Sequence, residues 1–352
     1  MRQNTVVTNY YLPAKFSGEP NTEKLLLLDI DRISTFVLHH QSFPDLPAKS
    51  TVDFEKSTSF KNTTKKFFAL VSSDTNDEIA FGDGHVCEDT FEILGNKIHH
   101  AFGVVNKGDP ALTLASDGTT AAGRIGFARN TSYYDEKDVR FELFKNLREN
   151  VLCFGTTYSE VTQQHISKVA LGQTIYPEKD FVASAHAYTY DEHDDLKEDG
   201  IWRIQTDTIS IGNYTKKRET DTVFTSTKDG LVFHFYDLYP IMRSLKAVQN
   251  TTDKEWYTDC SNDIPLSIGI NRKLIKIRFD AFTEQVGDGK CRIKIKSHVD
   301  DYIIIGLPFF VNNGVCLNYK INRFYVYDIT NPGIVAAGVQ DNKDNIIYTR
   351  VY

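Results

Sequence analysis

Nothing in this 352-residue sequence stays apolar for long. A membrane-spanning helix needs about 20 consecutive apolar residues, and no run approaches that. The first residues, MRQNTVVTNYYLP, also lack the apolar core of a signal peptide. Cysteine is scarce and odd in number, at 5, so at least one thiol stays outside any intrachain pairing and no dense disulfide scaffold is possible. The absence of any Cys-x-x-Cys pair removes the usual zinc frameworks, and no metal or other cofactor is expected. Positive charge is not in excess: 40 Lys and Arg face 47 Asp and Glu, a net charge of −7, which gives no general pull toward nucleic acid or an anionic membrane. These shortages point to an intracellular chain. A leader removed from a longer precursor would make it secreted instead.

What is plentiful is strand-forming. Phe (23), Tyr (18) and frequent Thr, against only 2 Met, favour β structure, and the length suits two domains or one fold of two lobes. The organising stretch is Leu25–Leu38, LLLLDIDRISTFVL. Four leucines read as a buried strand ending at Asp29, and the chain turns apolar again at Phe36. A carboxylate at the end of a core strand costs several kcal/mol unless it is paired or hydrogen-bonded, so Asp29 requires either a surface turn or a partner.

Down the chain, residues 1–24 read as an opening hairpin. Ile79–Gly84 reads as a short strand entering a glycine-flanked turn, and strands flank Gly95-Asn96. Helical spacing is best over Lys137–Glu149 and again over Leu238–Val248, while Ile201–Gly212 alternates cleanly as a strand. One regularity is long-range. The strand bearing Asp29 precedes Gly123-Arg124-Ile125-Gly126, and Thr222–Phe233, itself strand, turn and strand, precedes Ile303-Ile304-Ile305-Gly306. Strand–turn–strand followed by apolar residues and glycine thus occurs twice, as a duplicated β protein would have it.

Together these segments resemble the pepsin-like aspartic proteases over most of the chain. Leu27–Val37 stands where that family has an apolar strand, Asp-Thr-Gly-Ser and a further apolar strand; FEKSTSFKN (54–62) is similar to the segment after it. Ile79–Gly84 resembles the flap strand, with Phe81 in place of a tyrosine, and Ala122–Ala128 resembles Asp-Gly-Ile-Leu-Gly-Leu-Gly. Trp202–Gly212 and Ile304–Phe310 resemble two motifs of the second lobe. The resemblance implies a mainly β, bilobal pepsin-like fold, with an N-terminal lobe over 1–150 that carries Asp29 and a C-terminal lobe over 151–352. It also implies a disulfide between Cys260 and Cys291. Cys87, Cys153 and Cys316 read as buried thiols.

The family's chemistry needs one carboxylate from each lobe, sharing a proton around an attacking water. Asp29 falls on the first position and Ser226 on the second, and a hydroxyl cannot be the missing acid. Asp31 and Lys228 stand where glycines let the backbone approach, with Arg32 and Asp229 beside them, and the flap from Phe81 to Asp89 is short. Lys228 is the expected ion-pair partner of Asp29. No catalytic residues are therefore expected. The implied protein is a pseudoprotease that binds another protein or an extended peptide as a scaffold. An active atypical aspartic endopeptidase and a secreted inhibitor or recognition protein are the alternatives.

Other features are weaker. His186 and His193 bracket an acidic loop, Asp191–Asp195, that reads as solvated rather than metal-binding. Lys290, Arg292, Lys294 and Lys296 alternate with apolar residues and, with Arg272–Arg278, form a basic face that is the one place for an acidic protein or RNA to dock; nucleic acid is not the expected partner. Asn-x-Ser/Thr triplets occur at Asn62, Asn130, Asn213 and Asn250, as chance alone produces in a chain rich in these residues.

Overall fold

The strand Lys24–Asp29 shows why its sequence is a leucine run rather than an alternation. It lies inside a sheet, antiparallel to Tyr11–Phe16 and parallel to Gly123–Gly126, and Leu26, Leu27 and Leu28 are wholly buried. A strand covered on both faces has no wet side on which to place polar residues. The computed structural model describes residues 8–72, 79–116, 118–129, 139–145, 147–159, 164–188, 200–287, 289–330, 338–342 and 345–351. Within them the protein is mainly β, with three seven-stranded sheets and one of four strands.

The first sheet runs Tyr11–Phe16, Lys24–Asp29, Gly123–Gly126, Phe36–Leu38, Asn96–Gly108, Ile79–Ile93, Lys61–Ser72 in spatial order. The third runs Lys273–Ile277, Leu266–Ile270, Arg203–Ile211, Tyr214–Phe224, Tyr302–Ile305, Leu231–His234, Ile295–His298. The two contain the same crossover. Lys24–Asp29 pairs parallel with Gly123–Gly126, which pairs antiparallel with Phe36–Leu38. Tyr214–Phe224 pairs parallel with Tyr302–Ile305, which pairs antiparallel with Leu231–His234. The duplication read from the sequence is present as topology.

The second seven-stranded sheet, formed by strands from residues 151–351, receives the N-terminal segment. Thr8 and Tyr10 hydrogen-bond through their hydroxyls to Ser167 (2.9 Å) and Thr156 (3.0 Å). Tyr10 packs edge-on against Phe154 and Phe310. The largest core cluster draws residues from Tyr10 to Val326, so apolar packing continues across the expected boundary at 150 and 151. Trp202, fully buried, lies at a junction: its indole faces the Tyr319 ring edge-on and Nε1 donates to Phe127 O (3.4 Å).

Several local expectations shift. Gly82 and Gly84 lie inside one long strand, Ile79–Ile93, paired along Lys61–Ser72, rather than at a turn. The turn expected at Gly95-Asn96 is centred on Leu94-Gly95, both with positive φ, the geometry that matches strand twist in a two-residue hairpin. The first helix is only Val139–Phe144. The second is Phe235–Ser244, earlier than its apolar spacing implied. His234 Nδ1 accepts the Tyr236 N–H at its start, and Lys246, at φ 53°, terminates it before Val248.

Two disulfides are present. Cys260–Cys291 matches the pairing implied by the resemblance. Cys153–Cys316 corrects the reading of both as thiols: the strands Val151–Ser159 and Asn313–Asn318 run antiparallel with these two cysteines directly opposed, a neighbourhood that no local pattern announces. Among the described residues only Cys87 is a free thiol, and burial pushes its pKa up to about 11, helped by the Asp89 charge. Replacing Cys153 and Cys316 together by alanine is expected to lower unfolding free energy by about 2–5 kcal/mol, read by denaturant titration of the oxidised proteins.

Candidate functional site

The two crossovers place two turns against each other. In the first, Leu28 pairs with Ile125 and Asp29 with Gly126; in the second, Phe224 pairs with Ile305, so Thr225 lies beside Gly306. The return strands agree, because Phe36 opposes Arg124 and Val232 opposes Ile304, and equal spacings separate Asp29 from Phe36 and Thr225 from Val232. The glycines agree as well. A Cβ on Gly126 would lie 2.3 Å from Ile33 O, and one on Gly306 would lie 2.2 Å from Lys228 O, so each turn folds back over its glycine. The counterpart of Asp29 is therefore Thr225, and Ser226 is the counterpart of Ile30. This moves the expected second position by one residue, and Thr227 rather than Lys228 stands opposite Asp31. Neither Thr225 nor Ser226 is a carboxylic acid.

Ser226 instead joins the turns. Its hydroxyl is fully buried, donates to Leu28 O (2.7 Å) and accepts the Ile30 N–H (3.1 Å). One side chain thus satisfies two backbone groups of the other turn, across nearly two hundred residues of sequence. Ile30 has no hydroxyl with which to reciprocate.

Asp29 is fully engaged. Its Oδ2 accepts from Arg124 Nη1 (3.1 Å), with side chains only 2% and 4% exposed, and its Oδ1 accepts the Asp31 N–H (3.0 Å). Arg124 Nε donates to Leu112 O (2.6 Å). The ion-pair partner is thus Arg124, not the expected Lys228. On paired parallel strands Leu27 opposes Arg124 and Asp29 opposes Gly126, so Arg124 and Asp29 share a face one step apart. An arginine in an otherwise apolar strand, where the second copy has Ile303-Ile304-Ile305, was the signal in the sequence for a buried acid nearby.

Asp31 stands in the remaining space. It is half-buried as a residue, its Oδ1 is wholly enclosed with no hydrogen-bond partner, and its carboxyl hydrogen-bonds to the Thr225 hydroxyl. Burial, and then the charge of Asp29, push its pKa up to about 8, against the pull of Thr225, Arg32 and Lys228. Lys228 therefore acts on Asp31. Next to it, Thr225 and Thr227 hydroxyls lie 3.2 Å apart. The arrangement brings together one carboxylate held by a guanidinium and, beside it, one carboxyl whose pKa burial raises.

The other sequence-derived residues lie apart from this cluster or are neutralised. Asp229 is bound by Lys294 (2.7 Å). Arg292 pairs with Glu284 and Arg278 with Asp280 (2.6 Å), and the backbone of Arg272 donates to Asp207; the basic face is thus partly neutralised, while Arg272, Lys273, Lys276 and Lys290 are exposed. Phe81, 51% exposed, lies on the return arm of the long hairpin opposite Leu70, so the expected short flap from Phe81 to Asp89 is continuous strand. His186 is exposed, whereas His193 and Asp191–Asp195 lie outside the described residues. No cluster of three or more metal-ligating side chains occurs among the described residues.

Arg124→Met is expected to cost about 3–5 kcal/mol by stranding the Asp29 charge, and adding Asp29→Asn should recover much of that loss in denaturant titrations. For Asp31 the folded pKa lies above the unfolded 3.8, so its stabilising contribution is complete below about pH 4 and is lost as pH rises toward about 8. Asp31→Asn should accordingly stabilise the protein at pH 8 by on the order of 1 kcal/mol and have little effect at pH 3.5, read from unfolding at both values.

No protein-family model matches the chain, and no curated protein matches it, so what can be said of its function rests on this geometry.

Proposed function

We propose that the protein is a bilobal, pepsin-like chain that has lost proteolysis and works by binding another protein or an extended peptide. The observation that carries this reading is the pair of equivalent turns, Asp29-Ile30-Asp31 and Thr225-Ser226-Thr227, of which only one retains an acid at the position the chemistry needs. Support comes from what surrounds that acid. A dyad requires two carboxylates sharing one proton and a water; here Arg124 occupies Asp29, and the Asp31 side chain stands where a glycine would leave room. The turns remain fastened by Ser226, so the architecture outlasts the chemistry.

Two disulfides favour the secreted inhibitor or recognition form of this reading over an intracellular scaffold, because such bridges persist in oxidising compartments. Among the described residues no helix is long and apolar enough to cross a membrane. A second reading, an atypical active peptidase, draws on the closeness of Asp31 to Asp29 and its raised pKa, since two coupled carboxyls can share a proton within one turn.

The test is digestion of denatured protein substrates from pH 3 to pH 7. The expected result is no cleavage above a blank at any pH, unchanged by Asp29→Asn. Cleavage that a transition-state-mimicking peptide inhibitor blocks, and that Asp29→Asn abolishes, would overturn the proposal in favour of the peptidase.

A further inference from the structure

The Asn-x-Ser/Thr triplets acquire meaning only after folding. Three of the four lie within the described residues, and each asparagine is exposed: Asn62 on the outermost strand of the first sheet, Asn213 in the two-residue turn between Ile211 and Tyr214, and Asn250 at the end of the short strand Val248–Gln249. In Asn62 and Asn250 the side-chain Oδ1 accepts the N–H of the threonine two residues on (2.9 Å each). That bond uses the oxygen of the amide rather than its nitrogen. Two disulfides add a separate condition, an oxidising compartment, which is where sugar is added to such triplets.

Asn250 forms part of the wall of an open groove of about 740 Å³, lined also by Lys246, Val248, Tyr257, Val286 and Lys290. Val248 is 71% exposed and Val286 49%, so two aliphatic side chains lie uncovered beside an asparagine in the acceptor triplet. Isolated aliphatic exposure is ordinary, but here it is gathered in a concavity. A sugar ring suits such a floor, because its C–H face covers aliphatic carbons and the phenol ring of Tyr257 while its hydroxyls reach water and the lysines at the rim.

We propose that Asn250 carries an N-linked glycan whose first sugar lies in this groove, over Val248, Tyr257 and Val286. In the transfer, Asn250 Nδ2 attacks C1 of the sugar of a lipid-pyrophosphate-linked oligosaccharide. The N–C bond forms, the C–O bond to the pyrophosphate breaks, the lipid pyrophosphate leaves, and the amide gives up one proton to a base of the transferase. The remaining N–H keeps the donor that Asn250 uses toward Asp253 Oδ2 (3.1 Å), so the turn survives modification. Because transfer precedes folding, the folded surface need only leave the sugar room, and the groove does.

The experiment takes the protein from its natural source and measures intact mass before and after peptide N-glycosidase, followed by peptide mapping in heavy-oxygen water. The expected result is a fall to the polypeptide mass with residue 250 recovered as isotope-labelled aspartate. Recovery of residue 250 as unmodified asparagine overturns the proposal, whether or not sugar is found at Asn62, Asn130 or Asn213. For the seating, NMR of the intact glycoprotein should give contacts between the acetyl methyl of the first sugar and the Val248 methyls. Loss of the sugar's contacts to the Val286 methyls in Val248→Asp, with the glycan and the fold retained, supports the groove, and absence of the Val248 contacts in the unaltered protein overturns it.

Discussion

The ion pair between Asp29 and Arg124 is the constraint around which the first sheet is arranged. Two charges on neighbouring strands built mainly of leucine, isoleucine and glycine are tolerable only as partners, with the remaining hydrogen-bonding groups supplied by the backbone of Asp31 and Leu112. The pairing register that brings them together is the parallel crossover itself: a slip by one residue would turn Arg124 to the other face and leave the carboxylate alone in the core. Such a pair adds little net stability compared with an apolar replacement, yet a one-residue slip would break it. Its value is in specification.

The same pair accounts for an acid in a turn that has no matching acid opposite. An unpaired carboxylate in this place would be selected against on stability grounds alone. A paired one is costly to remove unless its arginine goes too. Asp31 is the reverse case: a carboxyl that folding holds largely neutral, placed where burial and a neighbouring negative charge both oppose ionisation.

How much of this was legible beforehand depended on whether a feature was local. The alternation of Ile201–Gly212 became the strand Arg203–Ile211, and the leucine run became a doubly covered strand, because side-chain period is a property of the segment itself. The repeated crossover was also readable, since its parts carry the same pattern twice. The second turn was misplaced by one residue because Thr225, Ser226 and Thr227 are chemically alike, and only the pairing of Phe224 with Ile305 separates them. Cys153–Cys316 and the Asp29–Arg124 contact stayed hidden for the same reason. Each joins positions whose closeness is decided by strand order, although a lone arginine among apolar residues did advertise an unmet need.

The Cys153–Cys316 bridge has a consequence for how this chain ages. Its ends are 163 residues apart, and everything between them, including the turn with Ser226 and the strands around Trp202, lies inside one covalent ring. A single backbone cut anywhere from residue 154 to 315 opens the ring but releases no piece. A chain nicked there would keep its mass under oxidising conditions, and the fragments would part only once the bridge was reduced. Damage of this kind would be carried rather than shed as long as the bridge stayed oxidised.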